Sequence, residues 1–301
     1  MFSTRSGAAK LSIVSVSVLI LIKSAASLVT GSISIRADLV HSIIDLSGVI
    51  IGYIGIRISG KPPDEDHAFG HGKFENIASV IIAGLIFVAA GAIFFEAVKR
   101  LITGGTVELI AVGIWVTAAA IVINGATSWY ALRVARSTDS VALEATARHM
   151  YADVLSSVAV LVGLILVSLT GLVILDPIVA LLVAILIVRT AYITMKKSLS
   201  DLMDVKLPED EENTIKLAII EHGGEVVGFH KLRTRKAGSQ RYIDLHMVMP
   251  KEVSLEDAHR LCDHLEEDIG NKLRHANVTI HVEPCGEECH ECYVRCASRK
   301  I

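Results

Sequence analysis

The sequence has little charge, no marked excess of either sign, and few cysteines. Only 20% of its 301 residues are Asp, Glu, Lys or Arg, and the formal net charge is −3, which gives no reason to expect a nucleic-acid partner. The chain has five cysteines, and four of them lie in the last 17 residues. Hydrophobic residues make up 52% of the chain, and this composition excludes a disordered polymer, a small disulfide-stabilised secreted domain and an ordinary water-soluble enzyme.

Long apolar stretches fill the first two thirds of the chain. A transmembrane helix needs about 20 mainly apolar residues, and six segments qualify: Leu11–Val29, Ile33–Ile58, Ile77–Val98, Val107–Leu132, Ser140–Val173 and Pro177–Ile193. We therefore predict an α-helical membrane bundle of six transmembrane helices within residues 1–203. The first segment also resembles the apolar core of a signal peptide, but its length and the short connection to the second segment favour a retained helix.

The basic residues predict the orientation of this bundle. An even number of spans puts both ends on one side of the bilayer, and Lys and Arg concentrate in cytoplasmic loops. One side holds nine of them: Arg5, Lys10, Arg57, Lys61, Lys73, Arg133, Arg136, Lys196 and Lys197. The other side holds three: Arg36, Lys99 and Arg100. The sequence therefore predicts a multi-pass protein of the cell's inner membrane with both termini in the cytoplasm.

Two predicted spans carry the same polar pattern, a histidine followed four residues later by an aspartate. The second span has His41 and Asp45, and the fifth has His149 and Asp153. Residues four apart share one helix face, and ionisable groups inside a bilayer are functional candidates by default. Two imidazoles and two carboxylates suit tetrahedral Zn²⁺. The alternative is two His–Asp hydrogen-bonded pairs that only hold helices together.

A polar loop between the second and third spans is a second candidate metal site. It holds Asp64, His67 and His71, and these three side chains together could chelate Zn²⁺. His67 and His71 are four residues apart, so a helical turn would align their imidazoles. The alternative is a solvated acidic loop whose histidines are incidental.

The composition becomes that of a soluble domain after about residue 204. Helix and strand signals follow in the order α-β-β-α-β, which fits a small open α/β sandwich over residues 204–284. The predicted elements are: a helix over Pro208–Glu221, strands over Val226–Arg235 and Gln240–Val248, a helix that begins at Ser254, and a strand over Asn277–Glu283.

The last segment, residues 285–301, is rich in cysteine. Its four cysteines have the spacing C-x₃-C-x₂-C-x₃-C: Cys285, Cys289, Cys292 and Cys296. A cytoplasmic location argues against stable disulfides, whereas thiolates at this spacing could bind Zn²⁺ or Cu⁺. The alternatives are a redox-sensitive tail and a disordered one.

Taken together, the motifs resemble the cation diffusion facilitator family of divalent-metal/proton antiporters over residues from about 8 to 284. Three features carry the resemblance: the paired HxxxD motifs, the loop sequence from Asp64 to Lys73 (DEDHAFGHGK), and the sequence His230–Arg235 (HKLRTR). The resemblance implies a homodimer in the lipid bilayer with a metallochaperone-like cytoplasmic domain. Some bacterial members have Asp at the position of His41. Histidine at this position resembles the pattern of the zinc-preferring members, so the resemblance also implies a zinc-preferring transport site.

The resemblance further assigns residues to sites by position. It makes His41, Asp45, His149 and Asp153 the transport site, makes Asp64, His67 and His71 a loop site, and links Lys73 to Asp204 as a pair between loop and cytoplasmic domain. The cytoplasmic metal site that it implies comprises His230, His246, His259, His281 and Glu283. Glu283 stands where the family often has Asp.

The functional expectation is export of Zn²⁺ from the cytoplasm in exchange for protons. Metal binding requires neutral imidazole and ionised carboxylate, so protons compete for the same groups. One alternative is a non-transporting membrane metal sensor or scaffold, and another is the same fold moving Fe²⁺, Cd²⁺, Mn²⁺ or Co²⁺. An enzyme is not expected, because the sequence has neither HExxH nor G-x-S-x-G.

Overall fold

A computed structural model describes residues 4–30, 33–103, 111–172, 174–222 and 226–286. The chain separates into two compact units, Met1–Leu199 and Ser200–Ile301. Three cysteines of the predicted tail site, Cys289, Cys292 and Cys296, lie outside the described residues.

The first unit is built from long helices, as predicted. They are α1 (Arg5–Thr30), α2 (Ile33–Ser59), α3 (Lys73–Thr103), α4 (Ala111–Thr138), α5 (Val141–Thr170) and α6 (Leu175–Leu202). Several are longer than the apolar segments that predicted them: α1 begins at Arg5 rather than Leu11, and α6 continues past Ile193 to Leu202. The apolar length is limited by the bilayer, whereas a helix continues into water without apolar side chains.

Five of these helices have both the length and the apolar composition of a membrane span over the described residues: α1, α2, α3, α4 and α6. α5 also has the length of a span, and its first half carries Glu144, Arg148 and Asp153. The first two of these charges are paired, because Glu144 accepts hydrogen bonds from Arg148 at 2.8 Å and from Lys197 of α6 at 2.7 Å. The helix packs against α2, α3 and α4, so its polar face lies within the unit.

Glycines bring α2 close to its neighbours. A Cβ atom added at Gly52 would overlap the Thr146 side chain of α5, and one added at Gly55 would lie 2.5 Å from Cβ of Ala78 on α3. Small residues at these points let the backbones approach closely. The two helices that carry the HxxxD motifs are therefore direct packing partners.

A buried carboxylate joins several helices at the Ser59 end of α2. Glu75, in the first turn of α3, is completely buried. It accepts hydrogen bonds from Arg5 of α1 at 2.8 Å, from Ser59 of α2 at 3.0 Å, and from Ser140, which precedes α5, at 2.8 Å. We call these four residues the Glu75 network.

The second unit confirms the predicted α-β-β-α-β order. Its elements are α7 (Glu209–Glu221), β1 (Gly228–Ala237), β2 (Gln240–Met249), α8 (Leu255–Lys272) and β3 (Ala276–Pro284). The sheet has the order β1-β2-β3, with β1 antiparallel and β3 parallel to β2. Ser254 caps α8 by accepting a hydrogen bond from the backbone N–H of Asp257 at 3.1 Å. Alternate residues of β2, from Ile243 to Met249, are buried in the core under the helices.

An irregularity in β1 sets the register that matters for the histidines. The pairing with β2 shifts between His230 and Arg233, and Lys231 has a positive φ of 50°. Such bulges redirect a strand and re-aim its side chains. On the far side of the shift, His230 lies opposite His246, which lies beside His281 on β3. Three strands thus present three histidines in one row.

Candidate metal centres

The two HxxxD motifs meet between α2 and α5. Nε2 of His41 lies 3.6 Å from Oδ2 of Asp45, and Nε2 of His149 lies 3.5 Å from Oδ1 of the same carboxylate. His41, Asp45 and Asp153 offer ligand atoms that all lie within 4.8 Å of one another, whereas His149 joins them only through its 3.5 Å contact with Asp45. One acid of α2 is therefore shared by imidazoles from both helices. We call these four residues the membrane cluster.

Burial distinguishes the members of the membrane cluster. Asp45 is 6% exposed and His149 is 2% exposed, whereas the His41 side chain is 44% exposed. Within the described part of the chain, neither ring nitrogen of His149 has a hydrogen-bond partner. An unsatisfied buried polar atom costs about 1–3 kcal/mol. If the two His–Asp pairs only joined helices by hydrogen bonds, His149 would have a hydrogen-bond partner. The geometry therefore favours metal ligation over that alternative.

The loop residues Asp64, His67 and His71 also come together. Oδ1 of Asp64 lies 3.2 Å from Nδ1 of His67, and Oδ2 lies 3.2 Å from Nε2 of His71. The loop is not helical here, so the expectation that a helical turn aligns the imidazoles is wrong. A turn containing Gly70 at φ +74° brings them together instead, with ring centroids 4.5 Å apart.

The electrostatics of this loop favour a ligand carboxylate. The backbone N–H of His67 donates to Asp64 at 2.8 Å, and this hydrogen bond lowers the pKa of the Asp64 carboxyl below its usual value. His71 is buried, and its Nδ1 has no hydrogen-bond partner among the described residues. A charged carboxylate thus stands beside an available imidazole.

In the second unit, three histidines surround one carboxylate. Oε1 of Glu283 lies 2.6 Å from Nδ1 of His246 and 3.7 Å from Nε2 of His281, while Oε2 lies 3.0 Å from Nε2 of His230. The hydrogen bond with His246 lowers the pKa of the Glu283 carboxyl. We call these four residues the sheet cluster. The carboxylate of Glu283 thus lies within 3.7 Å of all three imidazoles.

The remaining predicted site residues are placed as follows. His259 lies on α8 with its Nδ1 3.6 Å from Oδ1 of Asp263. Among the described residues, the ligand atoms that lie within 4.8 Å of one another at the sheet belong to His230, His246 and Glu283, and this group includes neither His259 nor His281. Lys73 belongs to the first unit and Asp204 to the second, and their pairing stays a prediction. Cys285 is buried directly after β3, where its backbone N–H donates to the Met249 carbonyl at 2.8 Å.

One functional candidate escaped the sequence analysis. Lys23 of α1 is only 7% exposed and donates a hydrogen bond to Ser42 of α2 at 2.8 Å. The signal that could have found it is its position, because it interrupts the otherwise apolar segment Leu11–Val29. Lysine near the middle of a span is costly in the same way as the histidines and aspartates are.

Comparison with known proteins defines the class to which this architecture belongs. The family model "Cation efflux transmembrane domain" matches residues 9–203, and "Cation efflux protein, cytoplasmic domain" matches residues 207–285. The chain therefore belongs to the cation efflux family, that is, the cation diffusion facilitators. This confirms the family identified from the motifs and makes the chain a member of a family of membrane transporters for metal cations.

Individual relatives span nearly the whole chain. An uncharacterized transporter of Synechocystis, sll1263, is 34% identical over 87% of this chain and 85% of its own length. The cation-efflux pump FieF of Cronobacter sakazakii is 35% identical over 89% of this chain and 88% of its own length. Among solved structures, the metal-bound C-terminal domain of the CzcD transporter from Thermotoga maritima is 28% identical, covers 26% of this chain and 92% of that one, and has a TM-score of 0.25.

Proposed function

We propose that this chain exports divalent cations from the cytoplasm, with Zn²⁺ as the preferred cargo and protons as the exchanged ion. The observation that carries the proposal is the membrane cluster. Asp45 lies within 3.6 Å of two imidazoles from different helices, and the buried His149 has no hydrogen bond at either nitrogen within the described residues. A cation that binds there supplies the missing partner.

The donor set supports zinc among the divalent cations. Two imidazole nitrogens and two carboxylate oxygens match the four-coordinate N and O ligation of Zn²⁺. An all-oxygen cage would suit Mg²⁺ or Ca²⁺ instead. Fe²⁺, Cd²⁺, Mn²⁺ and Co²⁺ are the alternatives, because general affinity order does not decide selectivity among these metals.

Proton exchange follows from the same ligands. Binding of Zn²⁺ requires His41 and His149 to be neutral at the ligating nitrogen and Asp45 and Asp153 to be ionised, so loading releases protons and protonation releases metal. An inward-open state would load at the cytoplasmic pH, and an outward-open state would exchange metal for protons. The chain's contribution is to hold these groups on two packed helices and to bury Asp45 and His149.

The proposal includes the assembly and its control. The chain would act as a homodimer in the inner membrane, with both termini in the cytoplasm. Zn²⁺ at the sheet cluster would raise the population of the transport-competent conformation if it binds that conformation more tightly. The loop site and the cysteine tail are assigned as additional metal-binding positions, and the Lys73–Asp204 pair as a link between loop and cytoplasmic domain.

A flux assay on the full chain in proteoliposomes tests the function. Zn²⁺ uptake driven by an imposed pH gradient is expected for the wild type and is expected to be lost in His41→Ala and Asp153→Ala, provided that both variants are folded. Ser47→Ala is the matched control, since Ser47 is an exposed residue of α2 outside the cluster. Equal zinc flux in all of these proteins would overturn the proposal. Metal binding without flux in the wild type would favour the sensor or scaffold instead.

A further inference from the structure

A buried lysine lies beside the membrane cluster without a role in metal ligation. Lys23 is 7% exposed and its ammonium donates to Ser42 at 2.8 Å. A lysine at the centre of a membrane helix is unfavourable by about 2.5–3.5 kcal/mol on insertion scales, and such residues face the protein interior where they serve function. α1 has a second lysine, Lys10, which is exposed and gives a direct contrast.

The position of this ammonium relates it to Asp45. Ser42 precedes Asp45 by three residues on α2, so the two side chains occupy neighbouring positions on the same helix face. A charge about one helical turn from Asp45, in surroundings of low dielectric constant, is poorly screened from that carboxylate. Ser42 also lies about 4.5 Å farther than Asp45 from the Ser59 end of α2. In the proposed orientation that end is cytoplasmic, so Lys23 is on the release side of the cluster.

We propose that Lys23 is a positioning residue for transport, a fixed counter-cation that weakens metal binding at the membrane cluster so that the metal can leave. The inference rests on the proposed function. In the metal-free site, the ammonium partly neutralises the two carboxylates, which would otherwise face each other across a medium of low dielectric constant. In the loaded site, it repels the dication. Both effects lower the affinity for a divalent cation, and both disappear when the charge is removed.

A structural role would have a different signature. If Lys23 only joins α1 to α2 through Ser42, then Lys23→Gln, which keeps a hydrogen-bond donor without the charge, should behave like the wild type. A variant that merely loosens the cluster should bind metal more weakly. The proposed electrostatic role predicts the opposite direction, namely tighter binding together with slower turnover, for every neutral substitution.

The test measures Zn²⁺ binding and Zn²⁺ flux in the purified full chain reconstituted in liposomes. For Lys23→Met and Lys23→Gln, KM and the dissociation constant are expected to fall by about tenfold or more while kcat also falls, as expected when a neighbouring charge is removed from a poorly screened site. Lys23→Arg keeps the charge and should restore the wild-type KM. Lys10→Met applies the same chemical change to an exposed position of the same helix and should leave both constants unchanged.

The outcomes separate this inference from the proposed function. Neutral Lys23 variants with an unchanged or raised KM would overturn the role of Lys23. Loss of flux in Asp45→Asn in the same experiment would still support the assignment of the transport site. Absence of flux in the wild type would overturn the proposed function itself. If Lys23→Met does not fold, the KM and the dissociation constant of Lys23→Gln alone decide whether the proposed role of Lys23 is correct.

Discussion

The membrane cluster and the sheet cluster use the same ligand chemistry in opposite surroundings. In the membrane cluster, Asp45 and His149 are almost fully buried and the imidazole of His149 has no hydrogen bond among the described residues. In the sheet cluster, the His281 side chain is 65% exposed and Glu283 already lies within 3.7 Å of all three imidazoles. The first arrangement is unfavourable without a cation, whereas the second is stable without one.

We expect this difference in burial and in hydrogen bonding to distinguish a site that moves an ion from a site that senses one. A buried site with unsatisfied ligands binds strongly and exchanges its ion only when the conformation or the protonation changes. A solvated site whose ligands are already paired must exchange those contacts for the metal, so its occupancy follows the metal concentration over a useful range. Under the proposed function, the same kinds of donor atom would therefore serve transport in the membrane cluster and regulation in the sheet cluster.

The largest expected effect comes from removing the shared carboxylate. Asp45→Asn keeps the size of the side chain but loses its charge and a ligand oxygen. Even an outer-shell partner of a metal site is worth about 10–100-fold, so zinc flux in proteoliposomes should fall by more than this. A flux within a few-fold of the wild type would contradict the assignment of Asp45.

The second prediction concerns the close packing of α2 against α5, the two helices that carry the membrane cluster. Gly52→Val would place side-chain atoms where Thr146 of α5 lies, which should separate α2 from α5 and lower both the melting temperature and the flux. Overpacking of this kind costs about 1–3 kcal/mol. Gly84→Val is the matched control, because nothing lies within 4 Å of a Cβ added there. Equal behaviour of the two variants would argue against close approach of the helices.

The third prediction changes the cargo rather than the rate. His41→Asp replaces an imidazole by a carboxylate, and harder oxygen ligands favour Mn²⁺ relative to Zn²⁺. The ratio of Mn²⁺ flux to Zn²⁺ flux should rise by roughly tenfold, the equivalent of about 1.4 kcal/mol. The measurement is flux with a panel of metals at matched pH gradients. An unchanged ratio would mean that His41 does not touch the ion.

The smallest effect on transport is expected at the sheet cluster. Glu283→Gln should weaken zinc binding to the cytoplasmic domain by about tenfold or more and move the activating zinc concentration upward. The maximal flux should remain that of the wild type, because the variant leaves the membrane cluster untouched. A complete loss of flux at saturating zinc would show that the two clusters do not divide transport from regulation.

The sequence predicts the elements of both units well, because each is encoded by a local pattern. The apolar segments correspond to helices α1 to α6, and the strands of the second unit begin and end within a few residues of the predicted bounds. The grouping of His41 with Asp45 follows from their spacing on one helix. For the cytoplasmic site, the grouping of residues from different elements came from the family resemblance and not from a local pattern.

Other features depend on tertiary contacts that no local pattern encodes. The bulge at Lys231 places His230 opposite His246, and a strand pattern alone gives no such register. In the sequence, Lys23 is only a charged residue within an apolar segment. Its hydrogen bond to Ser42 exists only when α1 and α2 are packed together. The loop histidines do lie side by side, but not through the helical turn that their spacing predicted. Gly70, with its positive φ, permits a different turn there.

The Glu75 network limits how the bundle can move. The ends of α1, α2 and α3 and the start of α5 all converge on one carboxylate that water does not reach. Because Glu75 is completely buried, a hydrogen-bond donor removed from it leaves a carboxylate oxygen unsatisfied at a cost of about 1–3 kcal/mol or more. We therefore expect these four helix ends to resist separation from one another more strongly than the parts of the bundle that lack such a shared buried carboxylate.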